Sequence, residues 1–483
     1  HGDIRRSRMS ARCQNEWIAN YPHLVEPLKF ILPCGPGLFR SEPVYRFGLW
    51  LYHTVIRWGL GWPWKPADKA DSYGASYGTT VIDEQDTPGA LAGEVAFWQE
   101  LQVQHPERGV LAQVLSARKL GANCLNYQQV TDVQRISKRK FLVQSVDQLN
   151  QQAWAIQCDW FIDATGAGFD LPGLPDELPK ELSVRHADVN WVKGVNLVFD
   201  SAPQHACAWG IDSANNRRKL FICPWQDRLV AGTWYFEHTL SDGPLLLDED
   251  ELQLCMKDLS SSRQPGFSQD SLAHIELGLL PVRSGSGELE NRLLSHPIID
   301  VSLDAPGLIR VVAVKYTTAE DVAEQVIKLV KSTTPERQAR IGQARYGSEF
   351  EDVSIAGVSR YREDLVSMFS QGTELDDIDR LVSRYGSSAS TILERQVEQP
   401  DKSQCIPNTR VSLAEVDFVL EHELVRKLSD LVIRRTDIGA ARRPDNDSLE
   451  YLMDYLVQNH QWDDGDREAQ IADVYDWYRR VNT

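Results

Sequence analysis

The chain has 483 residues, enough for two or three domains and a large core, with the 42 % hydrophobic and 25 % charged content of a soluble globular protein. A net charge of −18 argues against nucleic-acid binding, because neutralising a phosphate backbone takes clustered lysine and arginine. It also disfavours docking on an anionic bilayer except through a local basic patch. No run of 18 apolar residues is present and no signal-peptide pattern opens the chain, so a cytoplasmic location is expected, with contact at the inner face of the cell membrane as the alternative. The eight cysteines (Cys13, Cys34, Cys124, Cys158, Cys207, Cys223, Cys255 and Cys405) show no CxxC pair, which predicts structural thiols and no metal site.

In chain order, residues 1–20 read as a helix with a polar face. Pro22 to Pro33 reads as a turn followed by a strand. Residues 42–60 carry a helical apolar pattern through Val44, Phe47, Leu51 and Val55. That pattern runs into Trp58-Gly59-Leu60-Gly61-Trp62-Pro63-Trp64, either a loop packed on the core or an exposed apolar contact for a membrane or quinone. Gly89 to Leu120 is a helix candidate interrupted near Pro106, and 123–135 and 140–146 read as paired strands. Trp154 to Asp163 is a strand ending at Ala164-Thr165-Gly166. Residues 191–310 are rich in strands (195–199, 219–224, 229–234, 275–280 and 308–314), which predicts an antiparallel sheet. The spacing of Val322, Val326, Ile327 and Val330 predicts an amphipathic helix over 319–331, with a polar linker over 332–350. Beyond it, 376–385, 413–432, 449–460 and 467–480 are helical by period, with Ser412 and Asp447 as candidate caps.

Two segments carry chemistry. A strand that ends in small residues, as at Ala164-Thr165-Gly166, lets backbone approach a cofactor closely, although a plain strand exit has the same sequence. Val311 to Glu320 reads as strand, turn and helix start, bringing Lys315, Thr317 and Thr318 to a helix N-terminus. Unpaired N–H groups and the positive end of the helix dipole gather there, and Lys315 adds a cation. Such a site suits the negative edge of a reduced flavin; the plainer reading is a threonine-capped helix with a surface lysine. Both segments match the later pieces of a two-dinucleotide-fold flavoprotein. No G-x-G-x-x-G follows a hydrophobic strand, however, and that turn normally receives the FAD pyrophosphate. The chain also opens at His1 rather than methionine, so the expectation is an FAD-binding fold whose first βαβ unit, about 30 residues, is missing.

Six motifs in order resemble the FAD-dependent glycerol-3-phosphate dehydrogenases of the D-amino-acid-oxidase-like flavoprotein superfamily. His1-Gly2-Asp3-Ile4-Arg5 is similar to the family's His-Gly-Gly-Leu-Arg segment. Pro22-His23-Leu24-Val25 with Pro27-Leu28 and 46–52 resembles its next block. Asp163-Ala164-Thr165-Gly166 looks like its Asn-Ala-Thr-Gly, and Pro224-Trp225 with Ala231-Gly232-Thr233 like its Pro-Trp…Gly-Thr hairpin. Lys315-x-Thr317-Thr318 with Ala323-Glu324 is similar to its Gly-Gly-Lys-x-Thr-Thr helix start. Glu415-Val416-Asp417, His422-Glu423, Arg434-Arg435-Thr436 and Gly439 resemble its C-terminal helices.

The resemblance implies an α/β fold with three parts: a doubly wound FAD-binding domain (1–20, 89–180 and 305–333), an antiparallel-sheet substrate domain (21–88 and 181–304), and an all-α C-terminal domain (350–483). It implies FAD as cofactor, contacted by Gly2, Val130, Ala164, Thr165, Gly166, Lys315, Tyr316, Thr317 and Thr318. Arg5 and Lys315 take the catalytic places, and Asn196 and Trp234 line the substrate side. The implied partners are a small-molecule substrate and a quinone or other electron acceptor, with peripheral membrane contact as an option.

The departures bear on the substrate. Asp3 replaces a glycine, Arg6 stands where the family has tyrosine, Asn196 where histidine is common, and Ala313-Val314 replace the double glycine. Leu280 occupies the place of an arginine that grips the substrate phosphate, and the second such arginine falls near Ser295 and His296. Lost arginine–phosphate bonds cost a few kcal/mol apiece. The expected reaction is therefore hydride transfer to FAD from a hydroxyl-bearing carbon of a small polar substrate other than glycerol 3-phosphate. Arg283 and Arg292 either bind a different anion or are solvated surface. The rival class is a non-catalytic remnant or interaction protein that keeps the fold without FAD.

Overall fold

The structure, a computed structural model, describes residues 4–35, 40–52, 77–82, 93–137, 139–167, 189–213, 219–239, 243–261, 267–301, 306–333, 354–370, 372–479 and 481–482. The tryptophan-rich 58–64 segment, Gly2 and most of the 332–350 linker lie outside them.

The first half runs α1 (Ile4–Asn20), β1 (Val25–Pro33), α2 (Glu42–Trp50), β2 (Gly78–Ile82), β3 (Gly93–Val103), α3 (Pro106–Lys119), β4 (Gln128–Ser137), β5 (Lys140–Asp147), β6 (Ala153–Cys158) and β7 (Phe161–Asp163). There follow β8 (Val189–Phe199), β9 (Cys207–Asp212), β10 (Lys219–Trp225), β11 (Arg228–His238), β12 (Leu247–Asp248), α4 (Glu249–Ser261), β13 (Leu272–Arg283), α5 (Leu289–Arg292), β14 (Ile298–Val301), β15 (Leu308–Val312) and α6 (Ala319–Thr333). The C-terminal part is helical: α7 (Ile355–Phe369), α8 (Leu375–Tyr385), α9 (Ala389–Glu398), α10 (Leu413–His422), α11 (Asn446–His460) and α12 (Arg467–Trp477), closed by β16 (Val481–Asn482).

One eight-stranded sheet, ordered β13-β8-β11-β10-β9-β1-β3-β2, dominates the middle of the molecule. Its pairs are antiparallel except β1 with β9. Side chains alternate across it as strand geometry requires. Val195, Leu197 and Phe199 of β8 with Leu220 and Ile222 of β10 pack into a core shared with Leu252, Cys255 and Leu259 of α4. Burying each large apolar side chain contributes about 1.5–3 kcal/mol, so that face is committed to α4. The opposite face carries Gly194 and Asn196 of β8, Phe221 of β10 and Leu280 of β13, and it is the face available for a ligand.

A smaller sheet pairs β15 in parallel with β7 and antiparallel with β14. Ile309 and Val311 of β15 pack on Val322 and Val326 of α6, the stripe read from the sequence. The meander β4-β5-β6 joins this unit where Phe141 meets Leu308. The helical part has its own core, from Val358 to Val474. It meets α3 through buried charge: Arg108 with Glu423, and Arg384 with both Asp437 and the ring of His105.

Four local expectations change. Residues 93–103, read as helix, form β3, because Val25–Pro33 supplies a full-length antiparallel partner; tertiary pairing overrides local propensity here. The strand expected over 154–163 breaks into β6 and β7. The helix expected over 413–432 ends at His422, and Asp430–Arg435 forms a separate π-helical segment. Ser412 does cap α10, accepting from the Glu415 N–H at 3.2 Å, but the cap of α11 is Asp445, which accepts from the Ser448 N–H at 2.7 Å, rather than Asp447.

Candidate active site

Three cavities open around one side chain, Arg6. The first, about 400 Å³, lies between α1 and the turn that starts α6. Arg6, Ser10, Cys13 and Trp17 line it at intervals of four, three and four residues, which is one face of a helix. Lys315, Thr317 and Thr318 line it from the other side. The second, about 690 Å³, sits on the open face of the large sheet, between Arg6 and the residues Phe30, Asn196, Lys219, Phe221 and Thr233. The third, about 520 Å³, is bounded by Arg6, Tyr235, Leu280, Glu288, Ser295 and Lys315. Arg6 belongs to all three walls, Lys315 to two and Tyr235 to two, so they form one cleft with the helix turn at one end and the sheet at the other.

The helix-turn end is held by contacts distant in sequence. The Trp17 indole N–H donates to the Thr317 carbonyl at 3.0 Å, and its ring meets Tyr316 edge-on with centroids 5.4 Å apart. Asn20 donates to the Glu320 carboxylate at 3.0 Å, and Arg12 pairs with Asp321. The Thr318 hydroxyl donates to the Lys315 carbonyl at 2.8 Å, closing the turn. Burial pushes the Tyr316 phenol up, so it stays protonated. Burial, followed by the Glu16 carboxylate, pushes the Cys13 thiol up to about 12. An activated nucleophile has a depressed thiol, so Cys13 is a packing residue here.

On the sheet side the Thr233 hydroxyl donates to Asn196 Oδ1 at 2.8 Å. Asn196 lies so close over Gly232 that a Cβ there would come within 2.2 Å of its Oδ1, so the position takes only glycine without displacing that side chain. Leu280 reaches over Gly194 in the same way, its Cδ1 2.4 Å from where a Cβ would stand.

Of the residues expected at the site, the cleft brings together Lys315, Thr317, Thr318 and Asn196, with Tyr316 packed behind the turn. Arg5 is exposed on α1, about 100° around the helix from Arg6. Trp234 is 3 % exposed on the opposite face of the sheet, its indole N–H donating to Asp258 at 3.0 Å. A bulge at Thr233 is the reason: Gly232 pairs with Asn196 but Trp234 pairs with Val195, which shifts the alternation by one and turns Tyr235 to the cleft. Arg283 is exposed, and Arg292 donates to the Arg283 carbonyl and to Glu237, each at 3.0 Å; neither lines these cavities.

Val130 packs beside the Phe141 cluster and lines none of these three cavities. Ala164, Thr165 and Gly166 follow β7 as an exposed turn. Gly166 has φ +64°, and among the described residues a Cβ there would meet nothing within 4 Å. Asp163 fixes the turn, accepting from the Thr165 hydroxyl at 2.6 Å and pairing with Arg310 at 3.1 Å.

Sequence reasoning missed Arg6, Thr233 and Tyr235 as cleft residues. The stripe Arg6-Ser10-Cys13-Trp17 was a visible signal for the first; nothing local marks the bulge that selects the other two.

Residues 65–313, just over half of the chain, match the family model described as FAD dependent oxidoreductase. Residues 319–467 match the C-terminal domain of alpha-glycerophosphate oxidase. The chain is 23 % identical to a glycerol-3-phosphate dehydrogenase of Synechocystis over 89 % of its length and 78 % of the relative's. It is also 23 % identical to the aerobic glycerol-3-phosphate dehydrogenase of Escherichia coli, over 90 % of its length and 83 % of that protein's. The solved structure of a glycerol-3-phosphate dehydrogenase from Bacillus halodurans, complexed with FAD, shares the fold with a TM-score of 0.67 at 17 % identity, covering 99 % of this chain and 85 % of that one.

Proposed function

The chain belongs to the FAD-dependent oxidoreductase family, and from that premise we propose that it oxidises a hydroxyl-bearing carbon of a small polar substrate other than glycerol 3-phosphate, bound in the cleft around Arg6. The observation that carries this reading is the third cavity: Leu280 and Ser295 form its wall where the family resemblance calls for phosphate-gripping arginines. FAD, when bound, supplies the hydride acceptor. The residues present fit its ring end, since Lys315 and the start of α6 border a cavity with positive partial charge at its edge. Lys315 would offset negative charge gathering at that edge. Asn196 and Thr233 would orient the substrate hydroxyl, Thr233 Oγ1 keeping lone pairs to accept its hydrogen bond. The sheet on one side and α1 on the other would exclude water from the reacting carbon.

The proposed onward partner is a quinone or another small acceptor. Peripheral membrane contact would use α2, where Phe47 (61 % exposed) and Trp50 (46 % exposed) stack with centroids 5.8 Å apart. Among the described residues no helix is long and apolar enough to cross a membrane.

The test is anaerobic titration of the FAD-loaded full-length gene product, followed through the visible flavin band. A set of small hydroxy compounds should contain one that bleaches the band, and glycerol 3-phosphate should leave it intact. Bleaching by glycerol 3-phosphate at micromolar concentration would refute the substrate reading. Lys315→Met should keep its flavin yet slow bleaching by roughly tenfold to a hundredfold, somewhat less than the loss of a fully buried charge-stabilising donor.

A further inference from the structure

We infer that the cavity between α3 and α10 is a second ligand site, separate from the cleft, for a flat aromatic ring that carries one acid group. None of its wall residues lines the three cavities around Arg6, so the site is independent of the proposed reaction.

The cavity, about 610 Å³, lies where the sheet-bearing part joins the helical part, a place and size typical of small-molecule sites. Arg108, Ala112, Leu115 and Lys119 line it from α3 at helical spacing, and Phe418 and His422 line it from α10. Its wall is fixed before any ligand arrives, which lowers the ordering cost of binding. The hydroxyl of the buried Tyr385 donates to Glu415 at 2.7 Å, and the Arg108 guanidinium lies 4.6 Å from the centre of the Tyr385 ring. Phe418 meets Tyr385 edge-on with centroids 5.8 Å apart, and the His422 ring lies 4.8 Å from Phe418. Gly386, at φ +59°, makes room for the ring of His23, which a Cβ there would approach to 3.0 Å. Four rings thus line one cavity, a wall suited to a flat aromatic body.

Charge adds the acid group. Both acids of the wall are already matched: Glu423 pairs with Arg108, and Glu421 accepts from Arg395, which lies outside the wall, at 3.1 and 2.7 Å. Arg118 lines the cavity from the exposed end of α3, and among the described residues its guanidinium has no acceptor. In a chain of net charge −18 this leaves a locally basic wall. One guanidinium holds one acid group through two parallel hydrogen bonds, and the ring would then lie against Phe418 and His422. Arg118 also complements the carbonyl end of α3, so its effect on stability is measured apart from binding.

The test titrates 2-naphthoate calorimetrically into the FAD-loaded full-length protein. Beside it run 2-naphthamide, which has the ring without the charge, and octanoate, which has the charge without the ring. 2-Naphthoate should bind roughly tenfold more tightly than either, the low end for a hydrogen bond to a charged group. Arg118→Gln should weaken 2-naphthoate by about tenfold and leave 2-naphthamide unchanged. His422→Ala should weaken both ring compounds by roughly threefold to tenfold, the worth of one aromatic pair. Arg479→Gln, 79 % exposed near the end of the chain, should match the unaltered protein. The urea midpoint of each variant is measured alongside, so misfolding is read separately.

Absence of 2-naphthoate binding at millimolar concentration, equal binding of 2-naphthamide or octanoate, or an affinity unchanged in Arg118→Gln would each overturn the inference. Tighter binding of 2-naphthyl phosphate, lost in the same way in Arg118→Gln, would support the site and identify its acid group as a phosphate. Arg118-dependent binding of 2-naphthoate in a protein whose flavin no hydroxy compound reduces would support this site and refute the proposed reaction.

Discussion

Asp437→Ala is expected to destabilise the protein by about 3–5 kcal/mol, read as a lower urea midpoint, because it strands buried positive charge. Asp437 accepts from Arg384, whose side chain is almost wholly buried, and from Arg380 at 3.3 Å. Arg380 retains Glu415, at 2.7 and 3.0 Å, but among the described residues Arg384 would keep only the Arg435 carbonyl and the His105 ring. An unpaired guanidinium in that position costs far more than the lost pair contributes. Asp437→Asn keeps an acceptor oxygen and should cost less. The carboxylate is insensitive to pH near neutrality. Burial pushes its pKa up, but the charges of Arg384 and Arg380 outweigh burial and hold it well below the ordinary 3.8. A depressed acid contributes stability above its unfolded pKa, so this contribution fades only in strong acid.

Lowering the pH from 7 to 5 is expected to cost about 2 kcal/mol through His105 alone, at 1.36 kcal/mol per unit below its unfolded pKa. His105 precedes α3, and its Nδ1 accepts from Arg384 at 3.0 Å. Burial, then the nearby Arg384 charge, lowers its pKa from 6.5 to about 3, with Asp437 acting in the opposite sense and Arg108 and Arg380 in the same one. The ring is therefore neutral in the native state and protonates in the unfolded chain below 6.5. Its contribution is complete above that pH and is lost progressively as pH falls toward 3. His105→Asn, which retains an acceptor near the Nδ1 position and cannot titrate, should flatten the dependence of the urea midpoint on pH between 7 and 5. An equally steep decline in that variant would place the sensitivity elsewhere.

Both predictions concern the join between the sheet-bearing part and the helical part, which the sequence does not reveal. His105, Arg108, Arg384, Glu423 and Asp437 read along the chain as scattered surface charges. They become a buried network only because α3 and α8 meet.

Within single elements the sequence was more informative. Period 3.6 in 319–331 located α6, and the alternation in β8, β10 and β11 located strands, because amphipathic faces repeat at fixed local intervals. The strand-turn-helix around Lys315 was legible for the same reason, as were the helical end of the chain and the resemblance that predicted FAD. Tertiary structure decided which faces those elements present. Pairing with β1 made a strand of 93–103, where the local pattern reads as helix. One bulged residue, Thr233, sent Trp234 into the core and Tyr235 to the cleft. The docking of α1 against the turn before α6, through Trp17 and Thr317, set Arg6 rather than Arg5 at the centre. Periodicity is set by neighbours a few residues apart, whereas a cleft is made by residues 6, 196, 235, 280 and 315 converging from separate elements, which depends on strand order, register and close approach.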